Sequence, residues 1–350
     1  MMQQQDQLDH TSHPEVPLRR KWGRWRVFVV LLVVVAIIAV AFLVPIPIFF
    51  AYLPGPVQAL EELVTVDGAS TYSSEGSLFL TTVSVDTEVT FAEWVVALVD
   101  STEEVVSRES VTGGESLDDL QRRQREEMAD SKESAEIVAL GALGLARPEG
   151  DGARIDGLVP DTPAARHLQE GDVITGVDEE EVATLCDVGR VVGTHDPGET
   201  VRITVVRGGD PRDLTLQAAE NPNSPGRAFL GVAMEADFDF DSGLDIEFKT
   251  GRIAGPSAGL MFSLALYDRL TPDDLTAGRK IAGTGTINCD GSVGPIGGIR
   301  QKVAGAEREG AEVFITPIGN LADARAVAGE IEVVGVDSFY EALDYLQELK

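Results

Sequence analysis

The sequence predicts an α/β (α+β) domain joined to a β-rich module and preceded by a transmembrane helix. Three observations carry this expectation. Strand and helix patterns alternate from Leu230 to Leu349. Short strands separated by turns fill residues 145–220. Val27 to Val44 is an unbroken apolar run of 18 residues, VFVVLLVVVAIIAVAFLV. The 350 residues suffice for two or three domains with ample core.

At about 1.5 Å per residue, the apolar run covers most of a bilayer core of roughly 30 Å. Arg19, Arg20, Lys21, Arg24 and Arg26 precede it, and Trp22 and Trp25 suit a membrane interface. Basic flanks stay on the cytoplasmic side. Residues 1–26 therefore read as a cytoplasmic tail and 27–50 as a single-pass cell-membrane anchor, with the rest outside. A cleaved signal peptide is the rival, but the run exceeds an ordinary h-region and Phe50-Ala51-Tyr52 is a poor cleavage site. The net charge of −30 argues against nucleic acid as a partner. Cys186 and Cys289 lie far apart and are expected as two free thiols. No Cys/His spacing resembles a metal site, and no cofactor is expected.

Beyond the anchor, residues 54–144 are mixed. Ser77–Val85 reads as a strand, and Phe91–Val106 as a helix or strands. Gly113–Met128 is polar, a loop leading into an exposed helix. Ser131–Leu143 is a core helix, with Ala135, Val138 and Ala142 on one face. In residues 145–220, strands are expected at Ala153–Val159, Val173–Val177, Val201–Arg207 and Leu214–Leu216. Asp196-Pro197-Gly198-Glu199 and Gly208-Gly209-Asp210 form turns. Asn221–Gly226 (NPNSPG) is a linker by composition. Within 227–350, strands are expected near Leu230–Met234, Leu244–Phe248, Ile281–Ile287, Val313–Ile315 and Ile331–Val336. Helices are expected at Ala258–Leu270, Ile299–Glu309, Leu321–Ala328 and Ser338–Leu349.

The run from Val159-Pro160-Asp161-Thr162-Pro163-Ala164-Ala165 through Gly171-Asp172-Val173-Ile174 to Pro197-Gly198-Glu199-Thr200-Val201 and Arg207-Gly208-Gly209 resembles a PDZ domain of the bacterial protease-associated kind. The resemblance implies capture of an extended peptide by β-augmentation. It places the carboxylate loop near Leu143-Gly144-Leu145. Asp178-Glu179 departs from the family's usual turn glycine. The alternative is a small β-domain that only spaces or gates its neighbour.

Gly255-Pro256-Ser257-Ala258-Gly259 sits between an expected strand and an expected helix. Ser257 at a helix N-terminus is either an N-cap or a nucleophile beside an oxyanion site shaped by the backbone of Gly255, Pro256 and Ala258, with Pro256 contributing geometry and no N–H. A nucleophilic serine needs a base. His10, His13, His167 and His195 all lie outside this domain, which argues against a Ser-His-Asp triad and makes lysine the remaining candidate base. The domain offers Lys249, Lys280, Lys302 and Lys350. Lys302 flanks the buried stripe Ile299, Val303, Ala306, where desolvation lowers an ammonium pKa. A snorkelling surface lysine is the alternative.

The GPSAG pentapeptide, Gly283-Thr284-Gly285-Thr286-Ile287, Val293-Gly294-Pro295-Ile296-Gly297-Gly298-Ile299-Arg300-Gln301-Lys302 and Val313-Phe314-Ile315-Thr316-Pro317 are similar, in order and spacing, to the proteolytic domain of Lon proteases. The resemblance implies a serine endopeptidase with Ser257 as nucleophile, Lys302 as general base and Thr284 supporting the lysine. With the anchor and the PDZ-like module, the chain resembles membrane-anchored Lon-like proteases. Ser77–Thr82 and Met128–Leu143 resemble that domain's first strand and helix more weakly, which makes the PDZ-like module an insertion. Ala254 stands where many Lon enzymes carry Asp. No G-x-x-x-x-G-K-[ST] occurs, so cleavage of unfolded or exposed segments is expected without ATP. The implied partners are protein or peptide substrates, the membrane and further copies of the chain, with a hexameric ring the family's habit. The competing class is a catalytically inactive, anchored PDZ scaffold.

Overall fold

The computed structural model describes residues 23–97, 99–100, 102–222, 224, 226–251 and 253–349. The basic residues Arg19, Arg20 and Lys21, with Trp22, His10, His13 and Lys350, lie outside the described residues.

The N-terminal helix α1 spans Arg24–Leu43. Among the described residues no helix is long and apolar enough to cross a membrane. The expected anchor 27–50 ends too late. Phe49–Ala59 is a strand, β1, that runs through Pro54-Gly55-Pro56, and Phe50 is buried in it. The irregular register between Pro54 and Val57 absorbs the two prolines, as a bulge does.

The chain continues through β2 (Val64–Asp67), β3 (Ser77–Asp86), β4 (Glu104–Ser107) and α2 (Leu117–Leu143). The second module contributes β5 (Ala153–Leu158), β6 (Val173–Val177), α3 (Leu185–Val192), β7 (Thr200–Arg207), β8 (Asp210–Gln217) and β9 (Val232–Met234). The C-terminal part holds β10 (Asp245–Phe248), α4 (Gly259–Leu270), β11 (Lys280–Gly283), β12 (Thr286–Ile287) and β13 (Val293–Gly294). It closes with α5 (Ile299–Glu309), β14 (Val313–Pro317), β15 (Glu332–Val336) and α6 (Phe339–Glu348).

One six-stranded sheet runs in the order β15-β14-β11-β3-β1-β4. β15, β14, β11 and β3 are mutually parallel, and β1 is antiparallel to both β3 and β4. Alternation along each strand splits the core in two. Leu78, Leu80, Ile281, Val313 and Ile315 face α2, α4 and α6. Phe79, Ala282 and Phe314 face Ile299, Val303 and Ala306 of α5. All five residues of β14 are buried, as expected of a parallel strand covered on both faces. Strands from the first third of the chain thus share a sheet with strands from its last third.

The helix α2 is longer than expected, a single element of 27 residues. Ser116 caps it by accepting the Asp119 N–H, and Leu120 and Met128 already bury one side within its polar half. The segment Phe91–Val106 contains both alternatives, a helix at Phe91–Ala97 and the strand β4.

The second sheet has the order β9-β5-β6-β7-β8. Val232–Met234, expected with the C-terminal domain, joins this sheet instead. The reason is local: Ala219–Glu220 pairs with Ala228–Phe229, so the linker folds back as a hairpin. The expectation of free thiols is also corrected. Cys186 on α3 is bonded to Cys289 in the turn between β12 and β13. Sequence separation concealed a Cα–Cα distance of 5.2 Å across the junction of the two modules. Arg227 ties the same junction, donating from Nη1 to the Asp337 carbonyl at 2.8 Å.

Candidate active site

Ser257 lies in a 3₁₀ turn, Pro256–Ala258, that leads directly into α4. Gly255 adopts φ 88°, ψ 153°, a conformation that excludes side chains. Gly259 is excluded from substitution by space: a Cβ there would meet Ser131 Oγ and the Ile287 side chain. The two outer glycines of the pentapeptide therefore serve different needs, one conformational and one steric. Ala258 is buried, and Ala254 is exposed at the cleft.

Lys302 projects from the first turns of α5 and is 3% exposed. Its Nζ lies 2.7 Å from Ser257 Oγ and 2.8 Å from Thr284 Oγ1. Thr284 follows β11 and is fully buried. Its hydroxyl donates to the Ser257 carbonyl at 2.9 Å, so its oxygen is left to accept from Lys302. Burial without a counter-charge pulls the Lys302 pKa from 10.5 down to about 7. A neutral amine is thereby brought within reach near neutral pH.

The Ser257 carbonyl also accepts the Gly285 N–H at 2.9 Å. On the other side, Ser131 Oγ donates to the Pro256 carbonyl at 3.0 Å, and the Gly255 N–H donates to the Gln124 carbonyl at 3.0 Å. Lys132, on the same helix, donates to the Phe248 carbonyl and to Thr250 Oγ1. A cavity of about 680 Å³ opens in front of Ser257 and Lys302. Its walls come from β1 (Tyr52, Gln58), β3 (Thr82, Val83) and the loop Lys249–Pro256.

Of the three described sequence candidates, Lys249, Lys280 and Lys302, Lys302 alone meets Ser257 in a hydrogen bond. Lys249 lines the cavity but faces Glu247, and Lys280 donates to the Glu309 carbonyl. Among the described residues, no group of three or more His, Cys, Asp or Glu side chains is placed to hold a metal ion. Sequence reasoning missed Gln124, Ser131 and Lys132. Their only signal was helical spacing on one face of α2, which reads equally as core packing.

Leu143-Gly144-Leu145 form no open carboxylate loop. Leu143 ends α2, Gly144 caps it in the left-handed region, and the Gly144 and Leu145 N–H groups bond to α2 carbonyls. The terminal strand of the second sheet on that side is β9.

Comparison with known proteins finds both modules. Residues 138–217 match the PDZ domain family, and residues 232–346 match the Lon protease (S16) C-terminal proteolytic domain. The chain is 32% identical over 176 residues to a Lon protease of Roseiflexus castenholzii, covering 45% of this chain and 22% of that protein. It is 34% identical over 167 residues to a Lon protease of Desulfatibacillum aliphaticivorans, covering 44% and 20%. It is 37% identical over 84 residues to a probable periplasmic serine endoprotease, DegP-like, of Halomonas elongata, covering 24% and 17%. The chain spans about a fifth of the length of these curated relatives. It carries a PDZ domain and a Lon-type proteolytic domain.

Proposed function

We propose that this chain is a serine endopeptidase that cleaves unfolded or exposed protein segments by a Ser257–Lys302 dyad, without ATP. The observation that carries the proposal is the buried contact of Lys302 Nζ with Ser257 Oγ and Thr284 Oγ1, with no carboxylate to keep the amine charged. Thr284 accepts one N–H of the neutral amine, which aims the nitrogen lone pair at Ser257. Lys302 then removes the Ser257 proton as Oγ attacks the peptide carbonyl. Backbone N–H groups within the Pro256–Ala258 turn stabilise the oxyanion, each worth roughly 3–4 kcal/mol in a serine protease, since those of Gly255, Gly259 and Leu260 are already given to the Gln124, Pro256 and Gly285 carbonyls. Lys302 returns the proton to the leaving amine, and water resolves the acyl-enzyme. The absence of a G-x-x-x-x-G-K-[ST] motif from this sequence supports cleavage without ATP.

The reading extends to the flanking parts. The PDZ domain is taken as an insertion at residues 145–234 that presents substrate, with the edge of β9 as the strand that accepts an extended peptide. Association of α1 with a membrane surface is supported by exposed apolar side chains such as Val27, Leu31 and Ile38 and by the basic residues before it. The Cys186–Cys289 bond suits an oxidising, extracytoplasmic location. A homo-oligomer is included on resemblance alone.

The test is casein hydrolysis by the full-length chain in detergent, without ATP, beside Ser257→Ala and Lys302→Ala. Cleavage by the parent and by neither variant is the expected result. A parent no more active than the variants would favour the scaffold, to which Ala254 in place of the family acid points.

A further inference from the structure

Both peptide planes that flank Ser257 are held by hydrogen bonds, and they are held from opposite sides. A trans peptide is planar, so fixing a carbonyl oxygen fixes the whole unit, and a residue between two fixed planes has little freedom left in φ or ψ. The plane that follows Ser257 is pinned through its own carbonyl, by the Thr284 hydroxyl and the Gly285 N–H. The plane that precedes it is pinned through the Pro256 carbonyl. That oxygen accepts the Gly259 N–H from within the turn and the Ser131 hydroxyl from α2. Ser131 is buried, and its oxygen occupies the space a Cβ on Gly259 would need. Two turns earlier on the same face of α2, the Gln124 carbonyl holds the Gly255 N–H.

We propose that Ser131 is a positioning residue for the nucleophile: its hydrogen bond to the Pro256 carbonyl sets the direction of the Ser257 Cα–Cβ bond, and so keeps Oγ within reach of Lys302. This rests on the dyad reading above. Ser131 touches neither substrate nor Lys302. It acts through the peptide plane, and it does so from a helix nearly 130 residues away in sequence. Without its hydroxyl the Pro256 carbonyl keeps only the local bond to Gly259. Ser257 then samples orientations in which Oγ is out of line with the lysine nitrogen, and the geometry required for proton transfer and attack is populated for less of the time.

The experiment compares full-length parent, Ser131→Ala and Ser257→Ala by steady-state kinetics on a fluorogenic peptide, by the pH profile of kcat, and by hydrogen exchange of the peptides spanning residues 255–260. Ser131→Ala should lower kcat about tenfold, the loss of one well-made hydrogen bond in the reacting geometry. KM should stay within about twofold, because the cleft walls are unchanged. The inflection near pH 7 should not move, because the surroundings of Lys302 are intact. Exchange over 255–260 should quicken while that of the β14 segment does not. An unchanged kcat, a loss confined to KM, or unchanged exchange over 255–260 would overturn the proposal. A parent no more active than Ser257→Ala would sink the dyad reading instead, and the exchange comparison would still decide whether Ser131 orders the turn.

Discussion

Two buried ionisable groups, one in each domain, are handled in opposite ways. Asp172 in the PDZ domain is 1% exposed, and Arg207 grips it with Nε and Nη2, each at 2.7 Å. The bonds from Arg207 hold its carboxyl below the usual range against the opposing effect of burial. Lys302 in the proteolytic domain is almost as buried but meets only hydroxyl oxygens, and desolvation brings it to about 7. A buried charge with a full partner stays charged and ties the fold together. One without a partner gives up its proton and becomes a base. The same cost of desolvation therefore leaves a charged strut in one domain and an amine with a readily lost proton in the other.

The comparison breaks most sharply at Lys302. Lys302→Met should reduce hydrolysis by roughly 10⁴-fold, the upper range for a positioned proton transfer. It should not cost stability at low pH. Between about pH 7 and 10.5 the unfolded lysine binds a proton that the folded one does not, so its burial penalty is complete below pH 7 and gone above 10.5. Melting curves at pH 6 and pH 10 should show the gain of Lys302→Met over the parent shrinking with pH. In the parent, kcat should fall about tenfold per pH unit below 7, and a flat profile from pH 5 to 8 would contradict a neutral-amine base.

Asp172→Asn attacks the other strut. It leaves the partly exposed Arg207 against a neutral amide and should destabilise the PDZ domain by about 1.5–3 kcal/mol, the worth of a hydrogen bond to a charged group, read by denaturant titration. The carboxyl is depressed in the folded state, so its contribution is present above the ordinary aspartate value and lost as pH falls through the lowered one. Hydrolysis of a short peptide should change less than twofold. A comparable loss in both assays would mean that the two domains cannot be separated in this way.

The disulfide sharpens the boundary between the two. Its partners are 103 residues apart, and replacing both Cys186 and Cys289 by Ser should cost about 2–4 kcal/mol. Hydrogen exchange should rise around α3 and the β12–β13 turn. The smallest expected effect is that of Thr284→Val, about a tenfold fall in kcat. The pH inflection should drop slightly, because an acceptor for the charged lysine has been removed.

The pentapeptide around Ser257, the helix bearing Lys302 and the strands Val313–Pro317 and Val173–Val177 were legible because their signals are local. Glycines mark forced backbone, and apolar periodicity marks a buried face. Gln124, Ser131 and Lys132 were not, because a polar residue on a core helix carries no mark of what it touches. The carboxylate loop expected at Leu143–Leu145 failed for a related reason. A Leu-Gly-Leu that caps a helix and one that opens a loop share the same letters, and only the fate of the N–H groups separates them.

The sequence by itself determined most strands and helices of the C-terminal part and several strands of the PDZ module, and that a serine and a lysine were the pair to test. Those features follow from residue type and short-range spacing. The tertiary structure decided the rest: that β1, β3 and β4 complete a sheet begun at the other end of the chain, that Val232–Met234 belongs to the PDZ sheet, and that the two cysteines meet. It also decided that Lys302 has hydroxyls and no carboxylate around it. Each of these depends on which distant groups share a dehydrated space, and a lysine's pKa is set by that company rather than by its neighbours in the chain.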